Sequence, residues 1–137
     1  MARADHPFAR REEKSRLTDL EGLPLGLMLP GYGTRQIVAQ AESEDRVWLT
    51  PKLTTNSINI LRQFVHTGLG VTLLPAFAIA ADISEGTLVA LPVRSDVLES
   101  AEAKVITRTG RNLPTAAFNL LRYLTGQMLA FRTLDTR

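Results

Sequence analysis

The sequence predicts an α/β fold: a mostly parallel, twisted sheet flanked by helices. Short continuous apolar runs, three of them ending at proline, have the character of buried strands, because strands covered on both faces lose the alternation of a half-exposed sheet. Between most of these runs lie stretches with apolar residues at helical spacing. Strands that alternate with helices close most simply into parallel pairs with the helices as crossovers.

The elements follow in order. Residues 1–19 are polar and charged around a small apolar knot, His6-Pro7-Phe8-Ala9, and suggest a connector. Residues 23–30 form the first buried-strand candidate, closed by Pro30. Gly31-Tyr32-Gly33 is a turn, and Thr34 is placed to cap a helix running to about Glu42. A second strand is expected over 47–55. Ser57 then caps the clearest helix, with Ile58, Leu61, Phe64 and Val65 on one face and Gly68 as its stop. A strand at 71–74 closed by Pro75, an alanine-rich helix at 77–84, and a strand at 87–91 closed by Pro92 come next. A polar linker (94–102) precedes a strand at 104–108. Pro114 suits the first turn of a last helix to about residue 131, whose stripe is Ala117, Leu120, Leu121, Leu124 and Met128.

The totals narrow the function classes. The chain has 137 residues, 45% hydrophobic and 22% charged, with no cysteine, so disulfides, thiolate catalysis and cysteine-type zinc sites fall away together. No apolar run approaches the roughly 20 residues of a membrane helix. No secretion signal is visible at the start, and a cytoplasmic location is expected. The formal charge of +2 comes from the first sixteen residues, where Arg3, Arg10, Arg11, Lys14 and Arg16 face Asp5, Glu12 and Glu13. Removing those from the 16 basic and 14 acidic groups leaves eleven of each sign, so the body has no clustered basic face for a nucleic acid.

Catalysis has little to work with. His6 lies in the charged leading segment, and His66 suits a helix end, where a cation meets the negative end of the dipole. No pair of histidines has metal-ligand spacing, no Gly-x-Ser-x-Gly turn activates a serine, and the carboxylates are scattered over polar stretches. Neither catalytic nor metal-ligating residues nor a cofactor are expected. Gly31-Tyr32-Gly33 follows a strand and opens a helix, but Gln36 stands where a dinucleotide fingerprint needs its third glycine. Either this is a plain strand-to-helix turn, or its free amides, with Thr34 and Arg35 beside them, receive a small anion. In open parallel sheets ligands sit beyond the carboxyl ends of the strands, an edge to which residues 30–35, 55–57 and 74–76 all belong. They converge only if their strands are neighbours.

The segment Thr54-Thr-Asn-Ser-Ile-Asn-Ile-Leu-Arg-Gln-Phe-Val-His-Thr-Gly-Leu-Gly-Val-Thr-Leu-Leu-Pro75 resembles the effector domains of LysR-type transcription regulators. His6-Pro-Phe-Ala9, Leu17 to Leu20, Glu85-Gly-Thr-Leu-Val-Ala-Leu-Pro92 and Val105 to Pro114 are similar to further segments of that family, in the same order, so the resemblance covers about residues 5–130. It implies a two-lobed fold like the type 2 periplasmic binding proteins. Residues 1–19 would be the crossover, 20–103 lobe two, 104–131 a return strand and final helix belonging to lobe one, and 132–137 a tail. On that reading the first half of lobe one is missing, and so is the N-terminal winged helix-turn-helix through which alone DNA would be bound. The implied partners are a small, anionic effector and further copies of the chain, with no membrane. The implied effector residues are Pro30, Gly31, Tyr32, Gly33, Thr34 and Arg35, with Thr55 and Asn56 at the second junction. Many family members have serine where this chain has Gly33. The alternative function is a lobe of a transporter-associated solute-binding protein; an enzyme on the same fold would lack a catalytic constellation.

Overall fold

The computed structural model describes residues 1–110 and 112–127. The chain forms two units, Met1–Ala101 and Glu102–Arg137.

In the first unit the leading segment is more than a connector. It contributes β1 (Ala2–Arg3), a 3-10 turn at Pro7–Arg10, β2 (Ser15–Arg16) and a second 3-10 turn at Leu17–Leu20. Ala2, Leu17 and Leu20 are buried in the main core cluster. The physical reason is local amphipathicity: its few apolar residues turn inward while the charges stay in water. Arg11, for example, lies 4.0 Å over the Phe8 ring, covering its apolar face.

The central sheet is built from β3 (Leu25–Met28), β4 (Leu53–Thr55) and β5 (Val71–Thr72), all parallel, in the spatial order β4-β3-β5. All four residues of β3 are buried, as its uninterrupted apolar run requires. Two helices make the crossovers, α1 (Gly33–Asp45) between β3 and β4, and α2 (Ile58–His66) between β4 and β5. α1 turns Val38 and Ala41 into the core, and α2 buries Leu61 and Val65. Ser57 caps α2 as expected, its side chain accepting from the Ile60 amide at 3.4 Å.

Beyond β5 come a 3-10 turn at Ala76–Ile79, α3 (Ala80–Ser84), β6 (Leu88–Val89), β7 (Val93–Arg94) and α4 (Asp96–Glu99). β6 pairs antiparallel with β1, and β7 pairs parallel with β2. The sheets are thus mostly parallel and flanked by helices, in agreement with the expected α/β class. In the second unit, α5 (Thr115–Gln127) follows an irregular stretch, and the Pro114 carbonyl accepts its first hydrogen bond, from the Phe118 amide.

Several expected elements differ. The strand expected over 47–55 shrinks to β4, because the Leu49 amide is taken by the Glu42 carboxylate at 2.8 Å and Pro51 has no amide to give. The polar linker over 94–102 contains the end of β7 and the whole of α4, since Val97 is apolar enough to join the core cluster with Val38 and Ala41. Residues 104–108 form no strand: a strand needs a neighbour to complete its ladder, and among the described residues none pairs with them. Ile106 is accordingly 89% exposed. Residues 128–131 of the expected last helix, including Met128, and the tail at 132–137 lie outside the described residues. Among the described residues no helix is long and apolar enough to cross a membrane.

Candidate functional site

The register of the central sheet decides which junctions meet. Met28 stands opposite Thr55, so β3 and β4 end level with each other. The Leu29 amide then donates to the Thr55 carbonyl at 2.9 Å, extending the ladder one step into the loops. Residues 29–35 and 55–57 therefore leave the same edge side by side. Thr72 stands opposite Gly26, so β5 stops two residues earlier, and the third junction, at 74–76, begins with a further stretch of chain.

Pro30, Gly31, Tyr32 and Gly33 are exposed, while Thr34 and Arg35 are half-buried. Gly31 takes a positive φ of 94°, which turns the chain from β3 into α1. The expected cap is corrected. α1 begins one residue before Thr34, with Tyr32 as the capping residue in extended conformation and no side-chain cap. With Gly33 already helical, the Thr34 hydroxyl sits inside the first turn, too far along to reach back as a cap. Among the described residues, the amides of Gly33, Thr34 and Arg35 have no acceptor, as expected of the first turn of a helix. The Gln36 amide closes on the Tyr32 carbonyl at 3.0 Å.

Arg35 does not reach out over the loop. Its Nη1 lies 2.7 Å from Glu42 Oε2, seven residues along α1, with the two side chains 21% and 10% exposed. At the second junction Thr55 is buried, and its Oγ1 accepts from the Ser57 amide at 3.1 Å. Asn56 is exposed beside it.

A second polar cluster was not anticipated from the sequence. Asp82 on α3, 2% exposed, receives a two-pronged bond from Arg62 (Nε at 2.8 Å, Nη2 at 2.9 Å) and stands 2.7 Å from His66 Nε2. The Arg62 guanidinium, and then His66, hold the Asp82 carboxyl below its ordinary range against the opposing effect of burial. The legible part of the signal was the four-residue spacing of Arg62 and His66, which puts both on one face of α2. His66 thus has a partner beyond the helix end. Two recesses among the described residues lie away from the loop pair. One is a tight gap between the leading segment and β5, the other a shallow depression around Arg3, His6, Gly68 and Gly70. No group of three or more metal-ligating side chains occurs among the described residues.

Sequence comparison decides the family. The model of the LysR substrate binding domain matches residues 1–129. The chain belongs to the LysR substrate-binding domain family. Among its curated relatives is a RuBisCO operon transcriptional regulator of Acidithiobacillus ferrooxidans, 37% identical over 101 residues, covering 72% of this chain and 32% of that protein. The HTH-type transcriptional activator CmpR of Synechocystis sp. is 29% identical over 124 residues, covering 90% of this chain and 40% of the relative. The HTH-type transcriptional regulator CbbR of Xanthobacter flavus is 29% identical over 115 residues, covering 83% and 34%. The relatives of this LysR domain are regulators of transcription, not enzymes. The chain spans about a third to two fifths of their length.

Proposed function

We propose that this LysR substrate-binding domain is the sensing part of a cytoplasmic transcription regulator, and that the paired loops 30–35 and 55–56 form one wall of its effector cleft. The observation that carries the reading is the level ending of β3 and β4, with the Leu29 amide bonded to the Thr55 carbonyl. It sets two helix starts next to each other at the carboxyl edge of a parallel sheet, where such sheets receive ligands. The amides of Gly33 to Arg35, the positive end of the α1 dipole, the Thr34 hydroxyl and the Tyr32 ring supply donors and an aromatic face for a small polar or anionic molecule. Effector binding would control the activity of a self-associated, DNA-bound regulator, DNA being contacted by a separate winged helix-turn-helix. The names of the relatives, one a RuBisCO operon regulator and one a transcriptional activator, support a role in gene control.

The test belongs in a regulator that carries this domain together with its DNA-binding part. Replacing Tyr32 and Thr34 with alanine should impair the effector response while operator affinity in the absence of effector stays within about two-fold. A full response in the double variant would move the site to another loop.

A further inference from the structure

Residues 76–86 run from the end of β5 to the start of β6, with Pro75 before them and Gly86 closing them at a φ of 71°. Among the described residues, every backbone hydrogen bond they make closes within 75–87. Ala78 donates to Pro75, Glu85 to Ala81, Gly86 to Ile83, and Thr87 to Asp82. Only Ile79 and Asp82 of this segment are buried. Ile79 packs with Met1, Val65 and Leu88. Asp82 meets α2 through the fork from Arg62 and the 2.7 Å contact with His66 Nε2. The segment is thus attached at two points, one apolar and one ionic.

We propose that residues 76–86 are a strap that opens and closes as one body on the rest of the first unit, with Asp82 as its latch. Each attachment is worth about ten- to a hundred-fold in the opening constant, because burying one large aliphatic side chain and bonding one charged group are of similar size. The central sheet and its two crossover helices rest on many more contacts, so the strap opens far more often than the unit unfolds. Opening carries the Asp82 carboxylate into water. Arg62 and His66, whose side chains are already 31% and 28% exposed, turn outward with little rearrangement. The movement uncovers the apolar surface of Val65 and Leu88 and releases the chain that follows β5.

Native-state amide exchange of the 15N-labelled 137-residue chain tests this. Ala78, Glu85, Gly86 and Thr87 report the strap, while Lys52 and Val71, whose amides bond to Leu25 and Pro24, report the central sheet. The four strap amides should share one opening constant within about three-fold, and exchange through it at least about ten-fold more readily than Lys52 and Val71. Low urea should speed exchange at Lys52 and Val71 steeply and at the strap only slightly, because a small opening exposes little surface. Strap amides with unrelated constants, or with the urea dependence of Lys52 and Val71, would overturn the strap in the wild-type chain alone. Asp82→Asn should lower strap protection about ten-fold or more, and unchanged protection would overturn the latch. Where that variant does not fold, Arg62→Lys decides. It keeps a cation beside Asp82 but gives up the fork, and should lower strap protection about three-fold or more; an unchanged value would overturn the latch.

Discussion

Two glycines separate a position fixed by packing from one left open. A Cβ on Gly70 would overlap the Pro24 carbonyl oxygen and come within 2.6 Å of the Phe64 ring. Gly70→Ala should therefore destabilise the first unit by about 1–3 kcal/mol or more, since a backbone oxygen yields less readily than a side chain. A Cβ on Gly33 meets nothing within 4 Å, and its φ is not positive. Gly33→Ser, which restores the side chain many family members carry there, should shift stability by no more than about 0.5 kcal/mol. Comparing urea midpoints of the two variants checks both; equal losses would show that the contact at Gly70 does not govern its substitution. Asp82 offers a residue-scale test of electrostatics. Its pKa is lowered by Arg62 and His66, so it contributes stability that is fully present above the ordinary value of 3.8 and is lost as the pH falls through the depressed folded value. Asp82→Asn should flatten the acid limb of the stability curve and lower stability at pH 7 by about 1.5–3 kcal/mol. An acid limb unchanged by the substitution would remove Asp82 from the account.

At the scale of the element, α1 shows what was legible and what was not. Its existence and start near residue 34 follow from the glycine turn and the apolar spacing, and the structure places it at Gly33–Asp45. Its cap differs from the expected one, because Thr34 would be the capping residue only if the helix began at Arg35, two residues later than it does here. Its end lies three residues beyond the expected Glu42, at Asp45, because Arg46, not glycine, closes α1 in the left-handed region at φ 54°, ψ 42°. Left-handed strain on a residue with a Cβ is about 1–2 kcal/mol. Arg46→Gly should relieve part of it and raise thermal stability, with the greater freedom of the unfolded glycine offsetting some of the gain. A lower melting temperature would mean that the Arg46 side chain contributes contacts outweighing the strain. The paired wall had a similar status. The residue types at 30–35 and 55–57 were readable, but their meeting depends on β3 and β4 being neighbours, a register formed between segments distant in sequence. The Arg35–Glu42 pair lies at a spacing of seven on one helix. It was hidden only because an arginine beside an anion-binding turn is most simply read as facing the ligand.

At the scale of the molecule, the alternation of apolar runs and helical stripes carried the α/β class, whereas the small strands contributed by residues 1–16 were masked by their charge. The second unit raises the question of association. On α5, Ala117, Leu121 and Leu124 are half-buried, whereas Phe118, Leu120 and Tyr123 are 49%, 57% and 64% exposed. Burying a large apolar side chain fully is worth about 1.5–3 kcal/mol, so these exposed residues, which flank the half-buried stripe on either side, favour contact between copies of the chain, in keeping with the proposed self-association. Sedimentation velocity over a wide concentration range should show reversible association, and Phe118→Ser with Leu120→Ser should shift it toward the monomer. Both positions are already exposed, so the double substitution should leave the fold of the first unit intact by circular dichroism and amide spectra. Association that persists unchanged in the double variant would place the contact elsewhere, with α2, where Ile58 and Ile60 are also exposed, as the next surface to test. A monomer at every concentration would show that the exposed apolar residues of α5 are too few to hold two copies together.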